Sequence, residues 1–224
     1  LTQFLSPLVG SMDNPWSVLA LNFAICTIFF FGIHSSVFSP ITRPIMITFI
    51  AENIAAMQAG ETIPHFFTAG ASSAFFGFTG CGISIGCVIA CMLSKNASYK
   101  KIGRVSLFPA LFGINEPILF GTPIVLNPIM GVPFIIVPVV NALLLYFAIA
   151  TEILPPMGGQ LPPWTVPPVL SGLIIGGWKY AVMQFVVIAL GGLIYLPFFK
   201  KIDAMAYADE IAAKNAHADA GVQA

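Results

Sequence analysis

Residues 113–128 read GINEPILFGTPIVLNP and lie in the middle of a very apolar chain. This stretch carries one carboxylate, Glu116, between the amide Asn115 and the helix breaker Pro117. Three more breakers or turn-forming residues follow, namely Gly121, Pro123 and Pro128. A carboxylate in an apolar medium is costly unless it is paired, hydrated or protonated. Its position in a broken, apolar segment therefore calls for a functional explanation.

The composition indicates a membrane protein. Of the 224 residues, 58% are hydrophobic and only 8% are charged, and the mean hydropathy is +0.92. A soluble domain carries roughly 25% charged residues, so this chain lacks the charge to cover a surface that faces water. The net charge is zero and the nine Lys and Arg residues are scattered, which argues against a nucleic-acid partner.

The cysteines all lie inside apolar runs, at Cys26, Cys81, Cys87 and Cys91. Their spacing forms neither a CxxC pair nor the Cys/His pattern of a zinc site. We therefore expect small buried hydrophobic side chains, with no disulfide framework, no metal site and no cofactor.

The two ends of the chain differ from its centre. Residues 1–15 begin without Met and lack the pattern of a signal peptide, so we expect them to be the initial segment of a piece of a longer protein. Residues 16–202 are expected to form a membrane-embedded domain. Residues 203–224 are rich in Ala with Asp, Glu, Lys and His, which predicts a partly helical cytoplasmic tail.

Membrane-spanning helices need about 20 apolar residues, and four stretches qualify: 16–38, 72–93, 133–153 and 180–199. Two further apolar stretches, 105–130 and 161–178, contain too many Pro and Gly residues for simple spans. Irregular backbone at membrane depth persists only where it is buried in protein or lines a wet cavity, so these two predict re-entrant hairpins. Residues 45–58 read as an interfacial helix. The predicted fold is an all-α integral membrane protein with about four to five transmembrane helices and two re-entrant hairpins.

The distribution of basic residues predicts the orientation. The loop 94–104, SKNASYKKIGR, has four basic residues and no acidic one, so the positive-inside bias places it in the cytoplasm. Lys200 and Lys201 follow the last span and should lie on the same side. An even number of crossings must then separate them, and the third and fourth spans supply two if both hairpins return to the side they entered from.

Ionisable residues inside the membrane are rare and mark functional sites. Glu116 is the strongest candidate, and its alternative role is a structural carboxyl that caps the hairpin. His34 ends the apolar run FFFGIHSS. Its imidazole can donate to a hydroxyl, accept from one or pair with a carboxylate, and its alternative role is that of an interfacial histidine.

Trp164 lies in LPPWTVPP, where prolines on both sides hold the indole rigidly. A rigid aromatic ring suits stacking on the apolar face of a pyranose, although an interfacial anchor is the alternative. Trp16 and Trp178 are predicted to be such anchors.

Two further features have a structural alternative. Gly80 and Gly82, with Gly86, allow either close helix packing or backbone approach to a ligand; a dinucleotide fingerprint would need a preceding strand and a soluble fold. His65, in ETIPHFFTAG, is predicted to be solvated or capping rather than ligand-binding.

Four motifs in order, FGIHSS, GINEPILFGTPIVLNP, PFIIVPVVNALLLYFA and PPWTVPPVLSG, resemble the membrane component IIC (EIIC) of the sugar phosphotransferase system, lactose/cellobiose/chitobiose family. The resemblance covers residues 16–203. Members of this family are about twice as long, and the resemblance is to their carboxy-terminal, sugar-binding half. The motif FGIHSS departs from it at Ser35, where many relatives have Gly.

The resemblance implies that His34 and Glu116 contact the sugar, that Trp164 packs near it and that Asn115 supports them. Gly80 and Gly82 are predicted from the residues alone to allow backbone approach to that sugar. The resemblance also implies import of a disaccharide such as cellobiose, lactose or chitobiose through a multi-pass protein of the bacterial cell membrane, which forms a homodimer at full length. The sugar's 6-hydroxyl would meet a phosphocysteine on a IIB partner, supplied by IIA, HPr and enzyme I. The phosphoryl-carrying residue of the phosphotransferase would then lie on IIB, while Glu116 would orient or deprotonate the hydroxyl.

Two alternatives stay open on the residues alone. An ion-coupled secondary sugar transporter would also use broken helices and a membrane carboxylate, but it would need a coupling-ion site, and the only intramembrane acids are Glu116 and Glu152. An inactive truncated membrane fragment is the third interpretation.

Overall fold

The structure, a computed structural model, describes residues 13–222, with side chains through residue 216. Residues 1–12, most of the predicted initial segment, lie outside the described residues. Between residues 13 and 222 the chain is helical and has no β-strand, only an isolated bridge between Phe78 and Gly80. The predicted all-α class is confirmed.

The helices in chain order are α1 (Pro15–Phe30), α2 (Ser39–Ala59), α3 (Ile85–Met92), α4 (Ala97–Leu111), α5 (Glu116–Gly121), α6 (Pro128–Ala150), α7 (Leu170–Gly176) and α8 (Trp178–Val222). A 3-10 turn at Ser35–Phe38 joins α1 to α2. After α2 comes the π segment, a helical turn at Ala69–Ala71 that continues in π-helical form over Ser72–Phe76. Residues 77–84 then form the glycine turn. Helix α1 packs on α6, α3 on α4, and α8 on α3, α6 and α7.

Helix α1 is shorter than predicted. It begins where the Asn14 side chain accepts a hydrogen bond from the backbone N–H of Trp16 at 2.9 Å, with Pro15 at the first helical position. It ends at Phe30, and Gly32 follows at φ 88°, a conformation that favours glycine. The predicted span 16–38 is therefore wrong as a single helix. The break releases His34 from the helix and places it at the start of the 3-10 turn.

The second predicted span, 72–93, is also wrong as a single helix. It comprises most of the π segment, the glycine turn and α3. Gly80, Gly82 and Ile83 adopt φ values of 83°, 81° and 49°, and this left-handed run interrupts the helix. The segment is therefore a third broken stretch rather than a simple crossing.

The third and fourth predicted spans are helical apart from residues 151–153, which follow the end of α6. Within residues 13–222, α6 and α8 are the two helices long and apolar enough to cross a membrane. Helix α2 contains the predicted interfacial residues 45–58 and is longer than expected, but it does not meet that criterion. The total number of crossings stays a prediction.

The two predicted broken stretches are broken in the structure. Residues 105–130 are divided among α4, α5 and the start of α6, and residues 161–178 are irregular before α7. A buried amide on α8 holds the second break: Gln184 Oε1 accepts from the backbone N–H of Val169 at 2.7 Å and of Gly172 at 2.9 Å, and its Nε2 donates to the Ala74 carbonyl. The breaks are confirmed, while the re-entrant path stays a prediction.

The predicted basic loop 94–104 is wrong beyond residue 96, because α4 begins at Ala97. Asn96 starts this helix by accepting hydrogen bonds from the backbone N–H groups of Ser98 and Tyr99, both at 3.0 Å. The basic residues of this segment therefore stand mostly on a helix.

The predicted tail continues α8 without a break at residue 203. The Asp203 carboxylate accepts from the backbone N–H groups of Lys95 and Asn96, and Glu210 accepts from that of Ala97 at 2.9 Å. This part of the tail is thus helical and fastened to the start of α4.

Two apolar clusters form the core. One surrounds Phe134 and Tyr195 on α6 and α8, and the other surrounds Phe75 and Tyr180. Residues of both clusters line a single cavity, so this cavity lies where the two clusters meet.

Candidate functional site

The cavity has a volume of about 480 Å³, which falls within the roughly 300–1,000 Å³ of small-molecule sites. Its walls come from α1, the 3-10 turn, α2, the π segment, the glycine turn, residues 113–116 and Trp164. Hydroxyl and amide groups are prominent in this lining, among them Asn22, Ser35, Ser36, Thr42, Ser72 and Asn115. Such a lining suits a neutral ligand rich in hydroxyl groups.

His34 has a defined tautomer in this geometry. Its Nδ1 accepts a hydrogen bond from the backbone N–H of Ser36 at 3.1 Å, so Nδ1 carries no proton in this arrangement. The proton of the neutral ring must then be on Nε2. Since Nε2 is the atom nearest to Glu116, the ring presents a donor toward that carboxylate.

The pair His34 and Glu116 stands open at the cavity. His34 Nε2 and Glu116 Oε1 are 3.5 Å apart, and the two side chains are 57% and 45% exposed. This distance is long for a direct N–H···O hydrogen bond. A hydroxyl group that bridges the two atoms could accept from Nε2 and donate to Oε1, which is the chemistry the pair offers.

Asn115 supports the neighbouring carboxylate from within the protein. It is 3% exposed, and its Nδ2 donates to the Cys81 carbonyl at 2.6 Å and to Ser84 Oγ at 3.0 Å. The amide therefore fixes the start of α5, and with it Glu116, against the glycine turn.

The two predicted site glycines have different surroundings in the structure. Gly80 lines the cavity, and a Cβ added there would lie 2.2 Å from Asn115 Cγ. Gly82 is not among the lining residues; a Cβ there would lie 2.2 Å from Phe134 Cδ2, in the core. Gly80 thus admits the Asn115 side chain, and Gly82 admits a core ring.

Trp164 lines the same cavity and is 59% exposed. Gly113, at φ 80°, lets its segment approach the start of the 113–128 stretch: a Cβ on Gly113 would lie 3.1 Å from the Trp164 carbonyl oxygen. The other two tryptophans, Trp16 and Trp178, are 74% and 68% exposed and lie outside the cavity.

The cavity is also lined by two residues of α1 that the sequence did not predict as site residues. The ring of Phe29 lies 5.1 Å from that of His34, tilted by 53°. Asn22 is a buried amide inside an otherwise apolar helix. The sequence does carry a signal for Asn22, since one amide in a long apolar run needs a polar partner.

A pair of thiols also reaches the cavity. Cys26 Sγ on α1 and Cys81 Sγ on the glycine turn are 3.5 Å apart, and both residues line it. All four cysteines are free, and three of them are buried as predicted, whereas Cys81 is partly exposed.

His65 lies elsewhere, between two carboxylates. Its Nδ1 is 2.9 Å from Asp13 Oδ2, its Nε2 contacts Glu52, and its ring stacks on Phe49 with centroids 4.2 Å apart. His65 is therefore a largely buried contact between segments, so of the predicted roles, solvated or capping, the structure does not show the solvated one. Within the described part of the chain, no three His, Cys, Asp or Glu residues are arranged to hold a metal ion.

Comparisons with known proteins agree with these motifs. The family model described as "Phosphotransferase system, EIIC" matches residues 1–138. The oligo-beta-mannoside-specific EIIC component of Bacillus subtilis is 34% identical over 213 residues, which cover 92% of this chain and 47% of that protein. The lactose-specific EIICB component of Staphylococcus aureus is 32% identical, with 97% and 39% covered.

A solved structure is similar as well. The transporter ChbC, the IIC component from the N,N'-diacetylchitobiose-specific phosphotransferase system, matches with a TM-score of 0.86 and 32% identity, over 92% of this chain and 48% of ChbC. The chain spans about half the length, or less, of the relatives it matches. On the family model, the relatives and the shared fold, the chain belongs to the EIIC family of the phosphotransferase system, a family of membrane proteins.

Proposed function

We propose that this protein carries a disaccharide, such as cellobiose, lactose or chitobiose, across the membrane and presents it to a phosphorylated IIB partner. One observation carries the proposal: His34 Nε2 and Glu116 Oε1, a donor and an acceptor, lie 3.5 Å apart on a cavity that also holds the ring of Trp164. The names of the relatives include galactose, lactose and oligo-beta-mannoside, which supports the sugar class.

The first sugar ring lies between the His34–Glu116 pair and the aromatic rings. Glu116 accepts hydrogen bonds from ring hydroxyls, and these bonds are strong because the acceptor is charged. Trp164 and Phe29 offer faces for the apolar side of the ring. Asn115 and Gly80 hold the start of α5 in place, and they leave the Glu116 carboxylate oxygens available to the ligand.

Phosphoryl transfer then takes place at the sugar's 6-hydroxyl. Its oxygen attacks the phosphorus held on a cysteine of IIB, the S–P bond breaks, and the cysteine leaves as a thiolate. The hydroxyl proton passes to Glu116 or to water, and Glu116 orients the attacking oxygen. The product is a charged sugar phosphate that does not return through an apolar barrier.

For the arrangement in the membrane, we propose the one that the sequence predicts. Residues 16–202 form the embedded sugar-binding domain, the broken stretches return as re-entrant hairpins, and residues 203–224 lie in the cytoplasm. The complete protein acts as a multi-pass homodimer in the bacterial cell membrane, with IIB charged through IIA, HPr and enzyme I. The exposed apolar residues of α8, such as Phe185 and Leu193, fit a lipid environment.

The test is sugar uptake by proteoliposomes that contain the complete gene product. We expect accumulation of sugar phosphate only when phosphorylated IIB is supplied, with no dependence on an ion gradient. Omission of phosphoenolpyruvate from the relay is the control. Uptake of unmodified sugar driven by a sodium or proton gradient would replace the proposal with an ion-coupled transporter.

A further inference from the structure

Asn22 is a buried amide on the cavity wall that the proposed chemistry does not use. It is 5% exposed and belongs to α1, whose other buried residues are Val18, Cys26 and Phe29. Buried polar side chains in native structures have partners for their hydrogen-bonding atoms. For a buried amide in an apolar helix, we therefore expect a hydrogen-bond partner for both its nitrogen and its oxygen.

The orientation of the amide follows from its one hydrogen bond. Asn22 Nδ2 donates to the Val18 carbonyl at 2.9 Å. Because a carbonyl oxygen only accepts, the nitrogen must face Val18 and Oδ1 must face away from it. Within residues 13–216, Oδ1 has no hydrogen-bond partner, and it is not sealed in the core as Thr27 Oγ1 of the same helix is. The oxygen is an available acceptor on the cavity.

The position of Asn22 along α1 gives a length. Asn22, Cys26 and Phe29 line the same side of the helix, and Phe29 contacts the His34 ring. Seven residues of α-helix advance about 10 Å. This length exceeds one pyranose ring, so we expect a ring held at His34 and Glu116 to stop short of Asn22 and a second linked ring to lie beside it.

We propose that Asn22 Oδ1 accepts a hydrogen bond from a hydroxyl or amide N–H of the second sugar ring, and thereby selects disaccharides over monosaccharides. This inference rests on the proposed function. Met46, Phe67 and Phe76 line the same cavity and are largely buried apolar residues. A buried amide acceptor beside these apolar side chains gives direction to a ring that packs largely on nonpolar surface.

The first test compares two ligands on one variant. We measure the affinity of the complete gene product for cellobiose, lactose and N,N'-diacetylchitobiose, and for the methyl glycoside of the single ring of whichever binds best. Asn22→Leu removes the acceptor at similar volume. We expect disaccharide affinity to fall about threefold to tenfold, the effect of one neutral hydrogen bond, with monosaccharide affinity unchanged.

The matched control is Thr27→Val. It removes a buried, unpartnered oxygen from the same helix at a position outside the cavity. We expect it to change neither affinity. An equal loss for both ligands in Asn22→Leu would mean a general distortion of α1 and would overturn the inference.

The second test needs no folded variant. Disaccharides that lack one donor group on the second ring are measured on the wild-type protein, and one of them should show the same threefold to tenfold loss. Asn22→Leu, where it folds, should bind that analogue and the parent sugar equally. If the wild-type protein binds every such analogue as tightly as the parent sugar, the inference about Asn22 is overturned and the proposed function is not. A wild-type protein that binds none of the three disaccharides overturns the proposed function and this inference with it.

Discussion

Glu116 is the residue on which the proposed chemistry depends. Its carboxylate stands 3.5 Å from a histidine that presents its proton-bearing nitrogen, and its backbone is fixed by Asn115. The carboxylate is 45% exposed to the cavity rather than buried in a protein pair. This placement favours a ligand-binding role over that of a structural cap.

Glu116→Gln tests that role. The amide keeps the shape and one acceptor but loses the charge, so charged hydrogen bonds to sugar hydroxyls are lost. Such bonds contribute about 1.5–3 kcal/mol, which predicts a tenfold to hundredfold loss of disaccharide affinity. Equilibrium binding to the purified complete gene product measures it. Since a neutral amide is cheaper to bury, the variant should insert and fold normally; unchanged affinity would remove Glu116 from the ligand contacts.

Trp164 supplies the clearest test of stacking. Aromatic contacts contribute about 0.5–1.5 kcal/mol beyond buried area, so Trp164→Ala should weaken disaccharide binding roughly tenfold, while Trp164→Phe should be partly tolerated. Trp16→Ala is the matched control, because Trp16 is also largely exposed but does not line the cavity. Equal affinities for Trp164→Ala and wild type would make Trp164 an interfacial anchor.

At the scale of elements, the interruptions between helices build the site. The break after Phe30 exposes His34, the glycine turn receives the Asn115 side chain, and the break before α5 exposes Glu116. A continuous helix would place such side chains on its surface at fixed 100° steps. The breaks instead turn them toward one another.

Gly80→Ala tests the glycine turn. Its Cβ would collide with Asn115 at 2.2 Å and would also add the strain of φ 83°. Gly60→Ala is the matched control, since Gly60 has φ 72° with nothing within 4 Å of its Cβ. Both should lose roughly 1–2 kcal/mol of stability from the left-handed conformation. We expect only Gly80→Ala to lose sugar affinity as well. Equal affinities for the two variants would contradict the proposal that the glycine turn positions Asn115 and Glu116.

The contact between Glu210 on α8 and the start of α4 can be tested by changing the pH. The Lys214 ammonium at 2.7 Å and the Ala97 backbone N–H hold the pKa of Glu210 below its ordinary value. A depressed folded-state pKa stabilises the contact above the unfolded-state pKa, and the stabilisation disappears as pH falls through the folded-state value. The protection factor of the Ala97 amide, which is the exchange rate corrected for its intrinsic pH dependence, should therefore fall at acid pH in wild type but stay constant over that pH range in Glu210→Gln. Asp209→Asn, at an exposed neighbour, serves as control, and a pH response that survives in Glu210→Gln would exclude this contact.

At the scale of the whole molecule, the sequence predicted four residues that share one cavity better than it predicted the helices. His34, Asn115, Glu116 and Trp164 stood out because polar or rigid aromatic groups are conspicuous in an apolar chain, and the structure brings them to one cavity. The course of residues 72–93 was missed because apolar content does not record that Gly80 admits a side chain from residues far along the chain. Such contacts exist only after folding.

The orientation of the molecule is tested by labelling. In a Cys-free background, single cysteines at Ser98 and Ala216 should react only with reagents that reach the cytoplasm, because basic residues cluster on both α4 and α8. Both positions are exposed. Labelling of the Ser98→Cys variant from outside intact cells would reverse the layout.

The central claim is that the cavity between α1 and residues 113–116 binds a disaccharide. The most direct measurement is a structure of the complete gene product with its tightest-binding disaccharide. We predict one ring within hydrogen-bond distance of His34 Nε2 and Glu116 Oε1 and beside Trp164, with the second ring toward Asn22. A disaccharide bound away from His34 and Glu116 would contradict the account.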